Sequence, residues 1–514
     1  MPNPASAAPP TPLTRDSLGH LAYLYRVLTG HPINVADDDP PFRNPHWEGF
    51  YAPQSDVMNF GLRFQLAFAS YAVAALGLHT PAYTRPYVAA LGAAVERMLD
   101  VRAWGYWRQP AASEGGAEPA GHVAVLMGGH RRPSGPMPPP ADPVAQDNVQ
   151  FSGHLGTMLG LYERAGGDYR YDRGFVLADP ESGVSYPYTH GEVARRIVEQ
   201  MRANYFHGVA CEPACAYVPC NNHAMSSNAI HDATHGTDYS AANAGWLRWV
   251  RGKMLLHGPA ARGLFGACYL RGLHLTAPVA FQFTDSWGLA FLLPFDRALV
   301  RRLYPRYRKR LSREGGRLYV GSAPLCEKME ISDTALNTAF GLIVARGVGD
   351  RATADRLAAY AAANFGPVWS GPELSYAGAP RTLHTTALYA IAALVDADAA
   401  LLLRLFHAPR DPALASQPCL DSVSSPDPAA AAHLGISEAV YDPAARSLII
   451  ATQPLGEPPP DAPVLLSCAR VPAVRRVTYD GQAWDRVRYD AESRRLEIVA
   501  TAGAGQRFVV EVGA

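Results

Sequence analysis

Apolar residues recur every three to four positions along most of the chain, then switch to alternation beyond about residue 410. The first pattern predicts helices. Thr14–Leu28 is apolar at helical spacing and stops at Gly30, and Ser55–Leu78 and Ala82–Leu99 follow. Further helical runs cover Val149–Gly166, His190–Asn204, Pro219–His235, Tyr239–Leu256, Thr284–Leu293 and Phe295–Leu311. Ile331–Gly347, Asp350–Asn364 and Thr382–Phe406 complete a set of about twelve. Twelve helices in antiparallel pairs can close as six inner and six outer. The expected fold class is therefore mainly α, an (α/α)6 barrel with a small C-terminal antiparallel β domain. A non-closed helical array gives the same count.

Two stretches interrupt the helices. Residues 109–147 hold Glu-Gly-Gly, Pro-Ser-Gly-Pro and Met-Pro-Pro-Pro and cannot be regular helix. Residues 172–188 read as a small hairpin turning at Asp179-Pro180. Long structured loops on a helical scaffold commonly cover a binding site. The C-terminal alternation gives strands at Ala439–Tyr441, Leu448–Thr452, Val464–Arg470, Val474–Tyr479, Trp484–Tyr489, Leu496–Thr501 and Phe508–Val512, with a tight turn at Asp480-Gly481. YDPAARSLIIAT (441–452) and YDAESRRLEIVAT (489–501) form a weak internal repeat. The expected division is a disordered lead-in over 1–15, a barrel over 16–408, a Pro/Ser/Ala/Asp-rich linker over 409–429 and a β-sandwich-like domain over 430–514, the last with a packing or interaction role.

Composition narrows the function classes. The chain has 514 residues, 48% of them hydrophobic and 18% charged, enough for a large core. Its formal net charge is zero, which leaves no electrostatic case for a nucleic-acid or anionic-membrane partner. No membrane span and no signal peptide are evident, so the expected location is cytoplasmic. Seven cysteines, an odd number, argue against a secreted disulfide framework. No Walker GK[ST], no GxGxxG opening a helix and no GxSxG elbow occurs.

Three of those cysteines, Cys211, Cys215 and Cys220, fall within ten residues. One reading is a metal site completed by His223 or His235, although the spacing lacks the paired CxxC of zinc knuckles. Another is inert buried thiols or a disulfide. A third is a pair of catalytic thiols flanking a pocket, with a thiol acting as acid, base or nucleophile.

The stretch Cys211-Glu212-Pro213 followed by Cys220-Asn221, with His235-Gly236-Thr237-Asp238-Tyr239 and Trp246 beyond it, resembles the linalool dehydratase/isomerase family. Gly153-His154-Leu155 resembles that family's GHL helix, and Trp104-Gly105 with Trp107 its WG-x-W turn. The likeness runs over about residues 18–408 and is strongest at 148–250. It implies an (α/α)6 barrel, homo-oligomers, no metal and no cofactor. The implied chemistry is acid–base work on a small hydrophobic substrate, an isoprenoid-like allylic alcohol, through His154, Cys211 and Cys220. Glu212, Tyr217 and Asn221 are candidates for positioning the substrate, and Phe64, Phe283 and Trp287 for lining an apolar pocket. The family's catalytic Asp on the first helix is replaced by Leu28, with Asp37, Asp38 and Asp39 nearby, and a family Tyr by Phe64. Asp100 stands where the family has one of a cysteine pair. These departures leave dehydration, isomerisation and cyclisation open.

Two other classes compete. Asp285, Glu327 and Glu330 fit a glycosidase or sugar epimerase on the same barrel, where carboxylates or histidines do the work. A non-enzymatic helical scaffold is the third. Of the histidines at 207, 223, 231 and 235, all are read as structural, and only His154 is kept as catalytic.

Overall fold

The computed structural model describes residues 11–30, 61–107, 139–213, 215–257, 263–323, 327, 332–376, 382–457, 459 and 461–513. The expectations that fall on Asp37 to Asp39, Glu330 and most of 109–147 lie outside these residues. The described chain is about half helical with small antiparallel sheets.

Six helices are buried nearly all round. They are α2 (Leu62–Gly77), α4 (Val149–Gly166), α6 (Val218–His235), α8 (Gln282–Leu292), α10 (Thr334–Val348) and α12 (Leu383–Ala397). Alternating with them in sequence are α1 (Arg15–Gly30), α3 (Arg85–Leu99), α5 (His190–Ala203), α7 (Asn243–Trp249), α9 (Arg297–Arg308) and α11 (Arg351–Phe365). In this second set the apolar stripe covers one side, as expected of outer helices. Helix α2 packs on α4, α4 on α6, α6 on α8, α8 on α10, α10 on α12 and α12 back on α2.

The closest of these pairings is α4 with α6, and glycine makes it possible. A Cβ added at Gly153 would stand 2.9 Å from the Ala224 backbone nitrogen, and one at Gly160 would stand 2.7 Å from Ile230 Cγ2. At Gly156 it would collide with Ser227 Oγ. The stripe at 153, 156 and 160 thus lets two backbones approach over about two turns.

Two of the expected helices and the expected lead-in need correction. Tyr239–Leu256 is not one helix: a 3-10 turn (Tyr239–Ala242) leads into α7, and a π-turn (Val250–Met254) ends it. Thr382–Phe406 breaks into α12 and α13 (Leu401–His407), which meet at 109°. The Asp398 carboxylate accepts the Ala400 N–H at 2.9 Å and the Arg404 guanidinium, restarting the chain in a new direction without Gly or Pro. Residues 11–15 are ordered, contrary to the expected lead-in: Leu13 is buried and its N–H donates to the Ser437 carbonyl at 2.8 Å. Residues 1–10 lie outside the described residues. No single described helix is long and apolar enough to cross a membrane; the bent pair α12/α13 passes that test only jointly, and most of it is buried in the core.

Strands β1 (Phe175–Asp179) and β2 (Val184–Tyr188) form the expected hairpin about Asp179-Pro180. Beyond the helices lie nine more: β3 (Cys419–Ser424), β4 (Leu434–Asp442), β5 (Ser447–Pro454), β6 (Pro463–Ala469), β7 (Val474–Tyr479), β8 (Gln482–Ala483), β9 (Val487–Asp490), β10 (Arg495–Thr501) and β11 (Gln506–Val512). They make two sheets, in orders β3-β6-β10-β9 and β4-β5-β11-β7-β8, around Leu420, Leu448, Ile450, Leu466, Ile498 and Phe508. Asp480 and Gly481 both have positive φ, 45° and 82°, as the tight β7–β8 turn requires. Strand β3 lies inside the 409–429 stretch expected as a linker. The sandwich is held by backbone bonds from Ala82, whose N–H donates to Ala439 and whose carbonyl accepts from Leu420. Ala82 follows the C-terminal end of α2, so the sandwich docks at the end of the inner helices away from Phe64.

Gly153→Ala should test the α4–α6 contact most sharply, because the opposing atoms are backbone and cannot rotate away. Overpacking of this kind typically costs about 1–3 kcal/mol. Chemical denaturation should show that loss, and an unchanged midpoint would mean that the two helices are not held this close.

Candidate functional site

The N-terminal turns of the six inner helices gather at one end of the bundle, and each helix sends a ring inward. Phe68 of α2 is fully buried at their centre. Its ring centroid lies 5.5 Å from His154 (α4), 5.7 Å from His223 (α6), 5.7 Å from Trp287 and 5.5 Å from Phe291 (α8), 5.6 Å from Phe340 (α10) and 6.3 Å from His384 (α12). One turn nearer the helix start, Phe64 meets His154 and Trp287 edge-on, each at 5.4 Å. Phe283, one turn before Trp287, instead stacks on Phe281 at 5.7 Å.

His154 and His223 lie with ring centroids 4.0 Å apart, and a hydrogen-bond relay orients them. The Trp287 indole N–H, a donor only, gives its proton to His223 Nε2 at 3.0 Å. The neutral His223 therefore carries its proton on Nδ1, which faces the Tyr71 hydroxyl at 3.5 Å. Tyr71 accepts there and donates its single proton to His154 Nδ1 at 2.8 Å. The His154 proton is thereby placed on Nε2, a buried atom with no hydrogen-bond partner among the described residues. Burial, then the neighbouring His223 and Arg63, hold His154 well below its ordinary pKa; burial lowers His223 to about 3. Both rings are neutral at pH 7.

The thiols are set by a clamp. Asn221 accepts the Val209 N–H at 2.8 Å, and its amide donates to the Val209 carbonyl at 2.9 Å and the Tyr217 carbonyl at 3.1 Å. Beyond Val209, the Ala210 carbonyl accepts the first N–H of α4 at 3.1 Å. The loop then turns tightly, with Cys211 N–H bonded to the Cys215 carbonyl at 2.7 Å. This places Cys211 Sγ 3.0 Å from Cys220 Sγ, both buried. Burial, then the Cys220 thiol, push Cys211 well above its usual pKa, so it holds its proton. Cys220 stands one turn before His223. Gln150, one turn before His154, donates to Glu212 Oε1 at 3.3 Å and to the Cys211 carbonyl at 3.5 Å. Gln150 also accepts from buried Arg63 at 2.9 Å.

Of the residues picked out from sequence, His154, Cys211, Cys220, Glu212, Asn221, Phe64 and Trp287 are thus tied together by these contacts. Tyr217 is partly buried at the seam between this core and Cys215. Cys215 turns away from the other two thiols and pairs with Cys268, Sγ to Sγ 3.7 Å, so the three clustered cysteines do not converge on one ion. Asp285, the carboxylate noted for sugar chemistry, is raised to about 6 by burial, but its oxygens accept from Leu264 N–H, Phe265 N–H and Arg310. Glu327 is exposed. Sequence reasoning missed Tyr71 and set His223 aside as structural. The signal was present as spacing: Tyr71 is seven residues after Phe64, and His223 three after Cys220, each on the same helix face.

The sequence model of the linalool dehydratase/isomerase family matches residues 63–382. Among solved structures, an inactive variant of an α-1,6-mannanase from Salegentibacter sp. HEL1_6, in complex with α-1,6-mannotriose, is similar at 11% identity. It covers 75% of this chain and 99% of that chain with a TM-score of 0.40. A glycosidase variant in complex with glucose is similar at 14% identity over 76% and 98% of the two chains, with a TM-score of 0.38. A GH127 β-L-arabinofuranosidase from Geobacillus stearothermophilus T6 shares 12% identity over 96% and 76%, with a TM-score of 0.22. Scores this low carry no argument about function.

Two measurements check the relay. Nitrogen-15 spectra of the histidines should show His154 protonated at Nε2 and His223 at Nδ1, and Trp287→Phe should mix the His223 tautomers. Stability should also depend on pH through His223. Its folded pKa of about 3 lies below the value of about 6.5 expected in the unfolded chain, so between these values the unfolded state binds more protons. Its contribution is complete above about pH 6.5 and is lost as pH falls toward 3. His223→Gln should flatten the fall in urea midpoint across that window; an unchanged slope would show that His223 is not held neutral by burial.

Proposed function

The chain belongs to the linalool dehydratase/isomerase family, whose sequence model spans more than half of it, and on that premise we propose that it is a lyase or isomerase of isoprenoid-like allylic alcohols. The observation that carries the reading is the Cys211–Cys220 thiol pair, 3.0 Å apart, one helical turn from the His154–His223 rings and bounded by aromatic side chains. The ring of contacts among the six inner helices supports reading them as the inner layer of an (α/α)6 barrel with its site at the N-terminal ends. The proposed division is a catalytic body over residues 16–408 and a packing β domain over 430–514.

The proton balance is simple. Loss of water from an allylic alcohol needs one proton delivered to the hydroxyl and one removed from the carbon beside the developing cation. His154 Nε2–H donates a hydrogen bond to the substrate oxygen. Cys211, held protonated, delivers its proton as the C–O bond breaks and water leaves. The thiolate so formed, shared with Cys220 at the start of α6, is favoured by the partial positive charge of that helix end. It takes the carbon-bound proton, so the pair ends with the protons it began with, and no external oxidant or reductant is consumed. Return of water at the other end of the allyl system gives isomerisation by the same groups.

The aromatic faces around the site suit a hydrocarbon and attract a cation. Leu28, at the place of the family's catalytic Asp, is fully buried in α1 and cannot exchange protons. Phe64, at the place of a family Tyr, offers an apolar edge to His154. Both changes favour a larger or more apolar substrate than linalool, and Tyr71 orients His154.

The test is a panel of linear terpene alcohols, linalool and geraniol through nerolidol and farnesol, incubated with the purified protein and read by gas chromatography with mass detection. Turnover should fall by about 10²–10⁴-fold in Cys211→Ala and His154→Ala, the range for removal of an acid–base group. Tyr71→Phe should lower kcat more than it raises KM. Turnover that survives both of the first two substitutions, in folded protein, would refute the reading.

A further inference from the structure

A second cluster of titratable side chains lies at the far end of the same two helices, and the thiol site uses none of it. Helix α4 contributes Glu163, α5 begins with His190, and α6 ends with His231 and His235. From Cys220 to His235 is fifteen residues of α6, about 22 Å at 1.5 Å per residue. Glu163 Oε2 lies 2.7 Å from His190 Nδ1 and 3.0 Å from His235 Nε2. Asp172, from the turn after α4, brings Oδ2 to 3.6 Å from His235 Nδ1. The His231 ring centroid is 4.4 Å from that of His235 and 4.8 Å from that of His190. One ligand atom from each of His190, His231 and His235 lies within 4.8 Å of the others, and the same holds for Glu163, Asp172, His190 and His235.

Two features go beyond proximity. His190 and Glu163 are fully buried, yet His190 Nε2 and Glu163 Oε1 find no hydrogen-bond partner among the described residues. Buried polar atoms left in this way cost stability unless something else satisfies them. The second feature is the support behind His231. Thr237 Oγ1 donates to Asp232 Oδ1 at 2.7 Å, so it accepts from His231 Nδ1–H at 2.8 Å. With its proton on Nδ1, His231 keeps a free lone pair on Nε2. Asp232 is itself fixed by the Tyr239 and Ser240 N–H groups at 2.7 and 2.8 Å. Gly236, at φ +69°, gives the turn that returns Thr237 to the helix. A hydrogen-bonded partner on the far ring nitrogen is what metal-ligating histidines have.

We propose that His190, His231, His235 and Glu163 bind a divalent transition-metal ion of the zinc class, with Asp172 on the solvent side. Three imidazoles and a carboxylate are a donor set that zinc accepts and that calcium or magnesium does not select. The ion would staple α4, α5 and α6 together at the end remote from the thiols, as a structural site. His235 and Asp172 are partly exposed and give it an entry path. Binding replaces the proton that otherwise holds His235 between Glu163 and Asp172, so uptake weakens as pH falls.

The experiment is titration of the full-length, chelator-treated protein with Co2+ alone, followed by Zn2+. The expected result is one equivalent of Co2+ with visible d–d absorption, displaced by Zn2+, and a thermal midpoint that Zn2+ raises. His231→Asn and His235→Gln should each weaken uptake by about tenfold or more, whereas Cys211→Ser should leave it unchanged. Absence of uptake, or uptake unaltered in both histidine variants, would overturn the proposal and leave a proton-shared His–Glu network. Sulfur-to-cobalt charge-transfer bands lost in Cys211→Ser would also overturn it, by moving the ion to the thiols.

Discussion

The close approach of α4 and α6 is the constraint on which the rest depends. Without side chains at Gly153, Gly156 and Gly160, two buried helices run against each other for about two turns. His154 and His223 come within 4.0 Å, ring centre to ring centre, because of that spacing. The Cys211 loop reaches Cys220 because it is tied to the first turn of α4 and clamped by Asn221 of α6. At the other end of the same pair, Glu163 of α4 meets the last histidine of α6. A single packing choice therefore builds both clusters.

Phe68 settles how deep the first cluster can be. Its ring touches a ring from every other inner helix, so the centre of the bundle is filled at that level and the chemistry is confined to the turns before it. An apolar surround keeps imidazoles neutral and thiols protonated, because charge is penalised away from water. That environment suits proton exchange with a hydrocarbon alcohol and suits carboxylate-driven sugar chemistry less well. The buried carboxylate singled out for that class, Asp285, accepts from two backbone N–H groups and Arg310.

The β sandwich is joined to the helices by main-chain bonds through Ala82 and Leu13, at the end away from the thiols. It completes the burial of α1, where Leu18 fits against Gly435. Its strand β3 begins within a stretch whose Pro and Ser content reads as a spacer; pairing with β6 overrides that local preference.

The sequence by itself determined the helical periodicity and the change to strands, and it singled out Cys211, Cys220 and His154 as candidates, because period and motif are local properties of a chain. It placed the β hairpin and the Asp480-Gly481 turn for the same reason. The breaks at Asp398 and around α7 escaped it: the first has no Gly or Pro and is made by the Asp398 carboxylate folding back on Ala400 and Arg404, and at the second Gly245 and Gly252 are single glycines of a kind that a helical pattern tolerates. Tyr71 and His223 were visible as residues but not as partners. Their roles depend on which helices become neighbours and how near they come, and on the direction in which a donor-only indole points a chain of shared protons. Those are relations between segments distant in sequence, and the tertiary structure alone decides them.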